Sequence, residues 1–269
     1  MHSALYTVDA FTCQPFAGNP AAVCVSSAPL DEAWMRLLAR EMNLSETAFV
    51  YPVEGGFSLR WLTPVAEVKL CGHATLASAA VLWDSGRLRR GQPANFQTLS
   101  GWITCHQEED WIVMDFPAVE PVSCTEPDGL AAALGCDLLA IRRNHMDFLI
   151  EVQDEVVLRS LQPDFAALSK LPVRGVIVTC RGASKSWDFM SRFFAPAVGV
   201  NEDPVTGSAH CALGPYWGEK LGKKELTAFQ ASERGGVVKM ELRSGRVLLS
   251  GQAVLMSEMT LRHWPLPGV

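Results

Sequence analysis

The chain has 269 residues, 48% of them hydrophobic, with 23 Lys and Arg against 29 Asp and Glu, a formal charge of −6. That length lets folding bury about three quarters of the unfolded surface, as one large domain or two of roughly 130 residues, and the acidic balance argues against a nucleic-acid binder. No apolar run reaches the roughly 20 residues of a membrane crossing, and eight cysteines without a Cys-x-x-Cys pair read as reduced thiols of a cytoplasmic protein, neither a disulfide scaffold nor a zinc knuckle.

Along the chain, YTVDAF from Tyr6 and AAVCVS from Ala21 alternate as strands, and Asp31 to Met42 reads as a helix. Asp31 stands at its N-cap, with Trp34, Leu37, Leu38 and Met42 near a 3.6-residue period. TAFVYPV and FSLRWLT follow as strands; a helix of small and apolar residues then opens at Gly72 and is followed by further strands. A Pro-containing stretch from Val119 to Glu126 marks the expected boundary, giving lobes of 1–118 and 119–269. Beyond it DFLIEVQ is a strand, Phe165 to Lys170 a short helix, VRGVIVTC and WDFMSRFF strands, and a second apolar helix opens at Gly207 before the last strands.

The two halves repeat one another. RWLTPVAEV from Arg60 matches RFFAPAVGV from Arg192 at an offset of 132, and Gly72-His73-Ala74 matches Gly207-Ser208-Ala209 at 135. Phe96-Gln97 aligns with Phe229-Gln230 at 133, and Ile112-Val113-Met114 with Val247-Leu248-Leu249 at 135. A period of half the chain implies two copies of one lobe related by a pseudo-twofold axis, each a mixed sheet curled around a central helix, an α+β plan. Trp61, Trp83 and Trp111 fall in apolar blocks and are expected in the core.

A strand, a polar loop, a glycine and then a helix is a loaded arrangement, because the first-turn amides are unpaired and the helix dipole is positive there. Two such ends, at Gly72-His73 and Gly207-Ser208, would hold a carboxylate substrate across a cleft between the copies. Nearby candidates for chemistry are Glu46 in NLSETAFV, His73, and Asp203 five residues before Ser208. Taken singly, Glu46 could face only solvent, and His73 could be either a satisfied core histidine or a proton carrier titrating near neutrality.

NPAAV, NLSETAFV, CGHATLASA and EDPVTGSAH, in this order over the whole chain, resemble the PhzF-like isomerases, named after phenazine biosynthesis. AREMNLSETAF, LCGHATLASAAVL, EDPVTGSAH and LGKKE resemble the animal branch, the phenazine biosynthesis-like domain-containing (MAWD-binding) proteins. The resemblance implies the diaminopimelate epimerase-like fold, in which the last strand, here after about Leu255, pairs back with the first lobe. It implies a glutamate, Glu46, that shuttles a proton between carbons of a small cyclic carboxylate without metal or organic cofactor. His73, Asp203 and Ser208 carry over as the other catalytic residues, and Gly72, Gly207, Asn19 and Ser45 as substrate-binding residues. A homodimer is expected; a protein partner is left open by the name of the animal branch.

Epimerases and racemases of that fold use a cysteine before each helix-opening glycine. Here Cys71 precedes Gly72 but Thr206 precedes Gly207, and a hydroxyl is too weak an acid and base to replace a thiolate unaided. Cys211, inside the second helix, is expected to face the interior. A zinc set of Cys71, His73, His210 and Cys211 has suitable ligand types, but the reading assigns no metal. The expected activity is therefore a cofactor-free isomerase working through Glu46, for which a pKa above the ordinary carboxylate range of about 4.3 is required. The alternatives are an epimerase or racemase, or a catalytically silent binding protein on the same fold.

Overall fold

The computed structural model describes residues 4–264 and divides into two compact units: one holds the residues up to Asp115 together with those from Ser250 onward, the other Phe116–Leu249. The first begins with β1 (Ala4–Ala10), β2 (Asn19–Val25), α1 (Glu32–Met42), β3 (Thr47–Val53), β4 (Gly56–Leu62) and β5 (Glu67–Val68). It continues with α2 (Gly72–Asp84), β6 (Ala94–Thr98), β7 (Gly101–Glu108) and β8 (Trp111–Pro117). Next come β9 (Val122–Ser123), α3 (Leu130–Leu134), β10 (Ala140–Arg143), β11 (Asp147–Glu151), α4 (Glu155–Ser160), α5 (Phe165–Leu168), β12 (Gly175–Arg181) and β13 (Phe189–Phe194). The chain closes with α6 (Gly207–Leu221), β14 (Glu225–Gln230), β15 (Gly236–Arg243), β16 (Arg246–Gly251) and β17 (Ala253–Met259). No helix among the described residues is long and apolar enough to cross a membrane.

The pairing inside each unit follows one plan. In the first, β17–β1 and β1–β2 are antiparallel, β2–β3 parallel, β3–β4 antiparallel, β4–β6 parallel and β6–β7 antiparallel. In the second, β9–β10 and β10–β11 are antiparallel, β11–β12 parallel, β12–β13 antiparallel, β13–β14 parallel and β14–β15 antiparallel. The orders agree term for term, with β17 taking in the first unit the outer place that β9 takes in the second. This is the duplicated α+β architecture that the repeat predicts.

One block of the repeat is out of register. The sequence aligns Phe96-Gln97 with Phe229-Gln230, but the strands pair Phe57 with Phe96 and Phe189 with Ala228. Because Phe57 and Phe189 are 132 apart, as are Arg60 and Arg192, Phe96 corresponds to Ala228 and Gln97 to Phe229. Side chains alternate along a strand, so a slip of one residue reverses the face. Gln97 is accordingly exposed while Gln230 is fully buried.

Local chemistry sets the helices. Asp31 accepts a hydrogen bond from the Trp34 amide, and Asn43, at φ +49°, ends α1 by donating its amide to Ala39. The apolar side of α1, Met35, Leu38 and Ala39, packs on Leu5, Ala22, Cys24, Phe49 and Leu62. α2 has no polar face: its residues from His73 to Ala79 are all buried, as fits a helix enclosed by a sheet. In the second unit, residues of α3, α4 and α5, including Leu130, Leu134, Leu158 and Leu168, cover Phe148, Ile150, Val176 and Val178.

Pro215 lies inside α6, where its ring removes the amide that would meet the Cys211 carbonyl. That carbonyl accepts instead from the amide of Val119, at 3.0 Å. Close approach of β15 explains Gly218, since a Cβ there would sit 2.2 Å from Leu242 Cδ1. Trp61 and Trp83 are buried as expected, but Trp111 is only half-buried. It opens β8 directly after a turn in which Glu109 has φ +54°, where the strand has not yet entered the core.

Candidate functional site

In the first unit, three segments converge at the start of α2. β2 opens with the fully buried Asn19, the turn after α1 delivers Glu46 one residue before β3, and Cys71 occupies the N-cap of α2 without a capping side-chain hydrogen bond. The Glu46 carbonyl accepts from the Ala22 amide at 3.4 Å, which ties this loop to β2. His73, in the first turn of α2, is 5% exposed. Its Nδ1 lies 3.3 Å from Asn19 Nδ2 and 3.5 Å from Cys71 Sγ, and its Nε2 lies 3.4 Å from Glu46 Oε2. The last contact is close but not aligned for a hydrogen bond, so Nε2 is a buried nitrogen without a hydrogen-bond partner.

Burial lowers the His73 pKa from the ordinary 6.5 to about 4, so the ring is neutral at physiological pH. Burial thus moves the titration of the ring away from neutrality. With the Asn19 amide donating to Nδ1, the proton of the neutral ring belongs on Nε2, facing the Glu46 carboxylate. The Glu46 side chain is 18% exposed, partly sheltered rather than fully in solvent. Ser45 and Gly72 are half-buried beside these groups in the chain.

In the second unit, α6 starts at the buried Gly207 with Thr206 at its N-cap. Ser208, half-buried, accepts a hydrogen bond from Arg174 Nη1 at 3.0 Å. Arg174 is itself held by the fully buried Asp147, donating from Nε to Oδ1 at 2.9 Å and from Nη2 to Oδ2 at 2.5 Å, and it lies over the Phe193 ring. Asp147 is fixed in turn by Asn144 Oδ1, which accepts from the amides of Met146 and Asp147. The result is a guanidinium, 31% exposed, oriented toward the first turn of a helix. Both features favour a carboxylate.

Asp203 is half-buried and accepts a hydrogen bond from the Thr206 hydroxyl. Gln230 locks the same turn: its Oε1 accepts from the Thr206 amide at 2.9 Å, and its Nε2 donates to the Asp203 carbonyl at 2.7 Å. The Thr206 hydroxyl is thus committed to a carboxylate at the place where a second thiol would be needed. Cys211 does not supply one: burial pushes its thiol up to about 12, and its Sγ donates to the Gly207 carbonyl of its own helix. His210 Nδ1 likewise turns back to the Thr206 carbonyl at 2.8 Å.

Sequence reasoning missed Arg174, Asp147 and Gln230. Arg174 and Asp147 stand alone before apolar strands with no motif around them, and only the parallel pairing of β11 with β12, where Asp147 meets Gly175, brings them together. Gln230 lay inside a repeat block, which is a signal for position but not for its role.

A family model described as phenazine biosynthesis-like protein, PhzC–PhzF, matches residues 8–259. An uncharacterized isomerase of Halalkalibacterium halodurans is 53% identical over 97% of this chain and 100% of its own length. Phenazine biosynthesis-like domain-containing protein 2 of Mus musculus is 46% identical over 96% and 98%. A crystal structure of a PhzF-family phenazine biosynthesis protein from Enterococcus faecalis is 41% identical, superimposes with a TM-score of 0.91 and covers 96% of this chain and 98% of that one. Matched from its first strand to its last, this chain belongs to the PhzC–PhzF family of phenazine biosynthesis-like proteins.

Proposed function

We propose that this protein is a cofactor-independent isomerase that moves a proton between carbons of a small, cyclic carboxylate, with Glu46 as the acid and base. The carrying observation is the Glu46 carboxylate 3.4 Å from Nε2 of a buried, neutral His73 at the tip of α2. A neutral imidazole donates to the carboxylate or to the substrate without adding a positive charge, so the carboxylate keeps the freedom to take and return a proton. Carboxylate binding in the second unit is assigned to the Gly207 amide, Ser208 and Arg174; in the first, the Gly72 amide opens α2 beside Glu46 and His73. Asn19 and Ser45 shape the pocket around the imidazole, and Asp203 acts through Thr206, holding the turn that presents Gly207. The isomerase names of full-length relatives support the reaction class.

Solvent deuterium exchange tests the proposal. Wild-type protein in D2O, offered a panel of cyclic amino acids and enol-prone carboxylates, is expected to label at least one of them, and Glu46→Gln to slow labelling by about 10²- to 10⁴-fold. Full turnover by Glu46→Gln on the same compound would overturn the assignment, and a wild-type protein that labels nothing would favour a silent binding protein. A homodimer in the cytoplasm completes the proposal: the eight cysteines are all free thiols, as a reducing compartment would keep them. Light scattering on the purified chain reads the oligomeric state.

A further inference from the structure

The residues gathered at the tip of α2 have a second chemical capacity. One sulfur, one imidazole nitrogen and one carboxylate oxygen, from Cys71, His73 and Glu46, lie within 4.8 Å of one another. We propose that these three side chains form a binding site for a borderline-soft divalent cation of the Zn2+ type, and that the cation competes with proton transfer for the Glu46 carboxylate. The binding part stands on geometry alone; the competition rests on the function proposed above.

Ligand atoms around tetrahedral zinc sit about 3.3–3.8 Å apart, given Zn–S of about 2.3 Å and Zn–N or Zn–O of about 2.0 Å. Glu46 Oε2 and His73 Nε2 already meet that spacing at 3.4 Å, and Cys71 Sγ stands 3.5 Å from the other ring nitrogen. The cation would take Nε2, a buried nitrogen of a residue only 5% exposed, without a hydrogen bond and 3.4 Å from the carboxylate.

The Asn19 amide at Nδ1 supplies the outer partner that metal-bound histidines need: turned over, its oxygen accepts from Nδ1–H. A thiolate from Cys71 and the Glu46 carboxylate with one neutral nitrogen would balance the charge of a dication. The tip of α6 offers no equivalent set, since Thr206, Ser208 and the inward-turned His210 and Cys211 are already engaged within their own lobe.

Cobalt(II) titration of the full chain tests the site. The expected result is about one equivalent bound, with a thiolate-to-cobalt charge-transfer band in the near ultraviolet that added Zn2+ displaces. Cys71→Ser should lose the band and Cys13→Ser, at an exposed thiol, should keep it. His73→Gln should weaken cobalt binding by about 100-fold or more, and serves as the independent variant if Cys71→Ser fails to fold. Absence of the band in wild type, or its survival in Cys71→Ser, overturns the site. Zn2+ added at one equivalent should suppress deuterium exchange and a chelator should restore it; exchange untouched by bound metal overturns the competition. A metal-free protein that exchanges nothing counts against the proposed function and leaves the site standing.

Discussion

The tips of α2 and α6 are the same device built twice and furnished differently. Each opens with a glycine after an extended residue whose side chain does not cap the helix. At α2 the neighbours are a carboxylate, a thiol and an uncharged imidazole, groups that exchange protons. At α6 they are a guanidinium locked by a buried aspartate, Asp147, and a hydroxyl bonded to the half-buried Asp203, groups suited to holding an anion. Duplication supplied two glycine-opened helices; the function proposed above gives proton transfer to the first tip and anchoring to the second. The N-caps differ in the same way: Cys71 stands before α2 and Thr206, a hydroxyl, before α6.

Changes that break this division are expected to rank in size. The largest is at the α2 tip: His73→Gln should lower deuterium exchange by about 10²- to 10⁴-fold in a single-turnover assay, and a loss confined to KM would instead make the imidazole an anchor. The two buried histidines give the next. Above pH 6.5 neither folded nor unfolded chain protonates them; between 6.5 and about 4 the unfolded chain takes up protons that the folded chain refuses, so stability falls as pH falls. Each histidine contributes roughly 3 kcal/mol to that loss, at about 1.4 kcal/mol per pH unit. Denaturant titrations at pH 7 and pH 4 should show His210→Gln losing about 3 kcal/mol less than wild type across that interval while retaining exchange activity. An equal loss in both would mean that His210 is not the group refusing the proton.

At the α6 tip, Arg174→Lys keeps a cation for Asp147 but gives up the nitrogen that reaches Ser208. KM should rise about 10- to 100-fold with kcat little changed, since hydrogen bonds to charged groups are worth about 1.5–3 kcal/mol. A fall in kcat at constant KM would move Arg174 from anchoring to chemistry. The smallest effect sharpens the comparison most: with Glu46 as the proposed proton carrier, Cys71→Ser should retain exchange to within about tenfold. Loss of all activity in that variant would make the thiol the base and erase the distinction drawn between the tips.

The sequence was legible wherever a local rule applied. Asp31 announced the start of α1, TAFVYPV read as β3, and the paired glycine blocks at 72 and 207 announced both central helices. It misled where a rule applied only approximately: the Phe-Gln blocks look equivalent, yet one slipped residue puts Gln97 in solvent and Gln230 in the core. Asp203 was legible as a carboxylate near a helix tip. Its bond to the Thr206 hydroxyl was not, because three residues of spacing leave the side chain free to turn either way until Gln230 fixes the loop.

Composition, the half-length repeat and the glycine blocks by themselves determined a duplicated α+β protein with two glycine-opened central helices, and placed Glu46 and His73 among the residues to watch. Those features are local or periodic, and periodicity survives without coordinates. Tertiary structure alone decided that the imidazole is neutral, that Asn19, Cys71 and Glu46 surround it, and that Arg174 aims at Ser208 from an Asp147 that is 27 residues away in the chain. Desolvation and ion pairing depend on what surrounds a side chain in space, and the strand pairings that bring those surroundings together join residues the sequence keeps far apart.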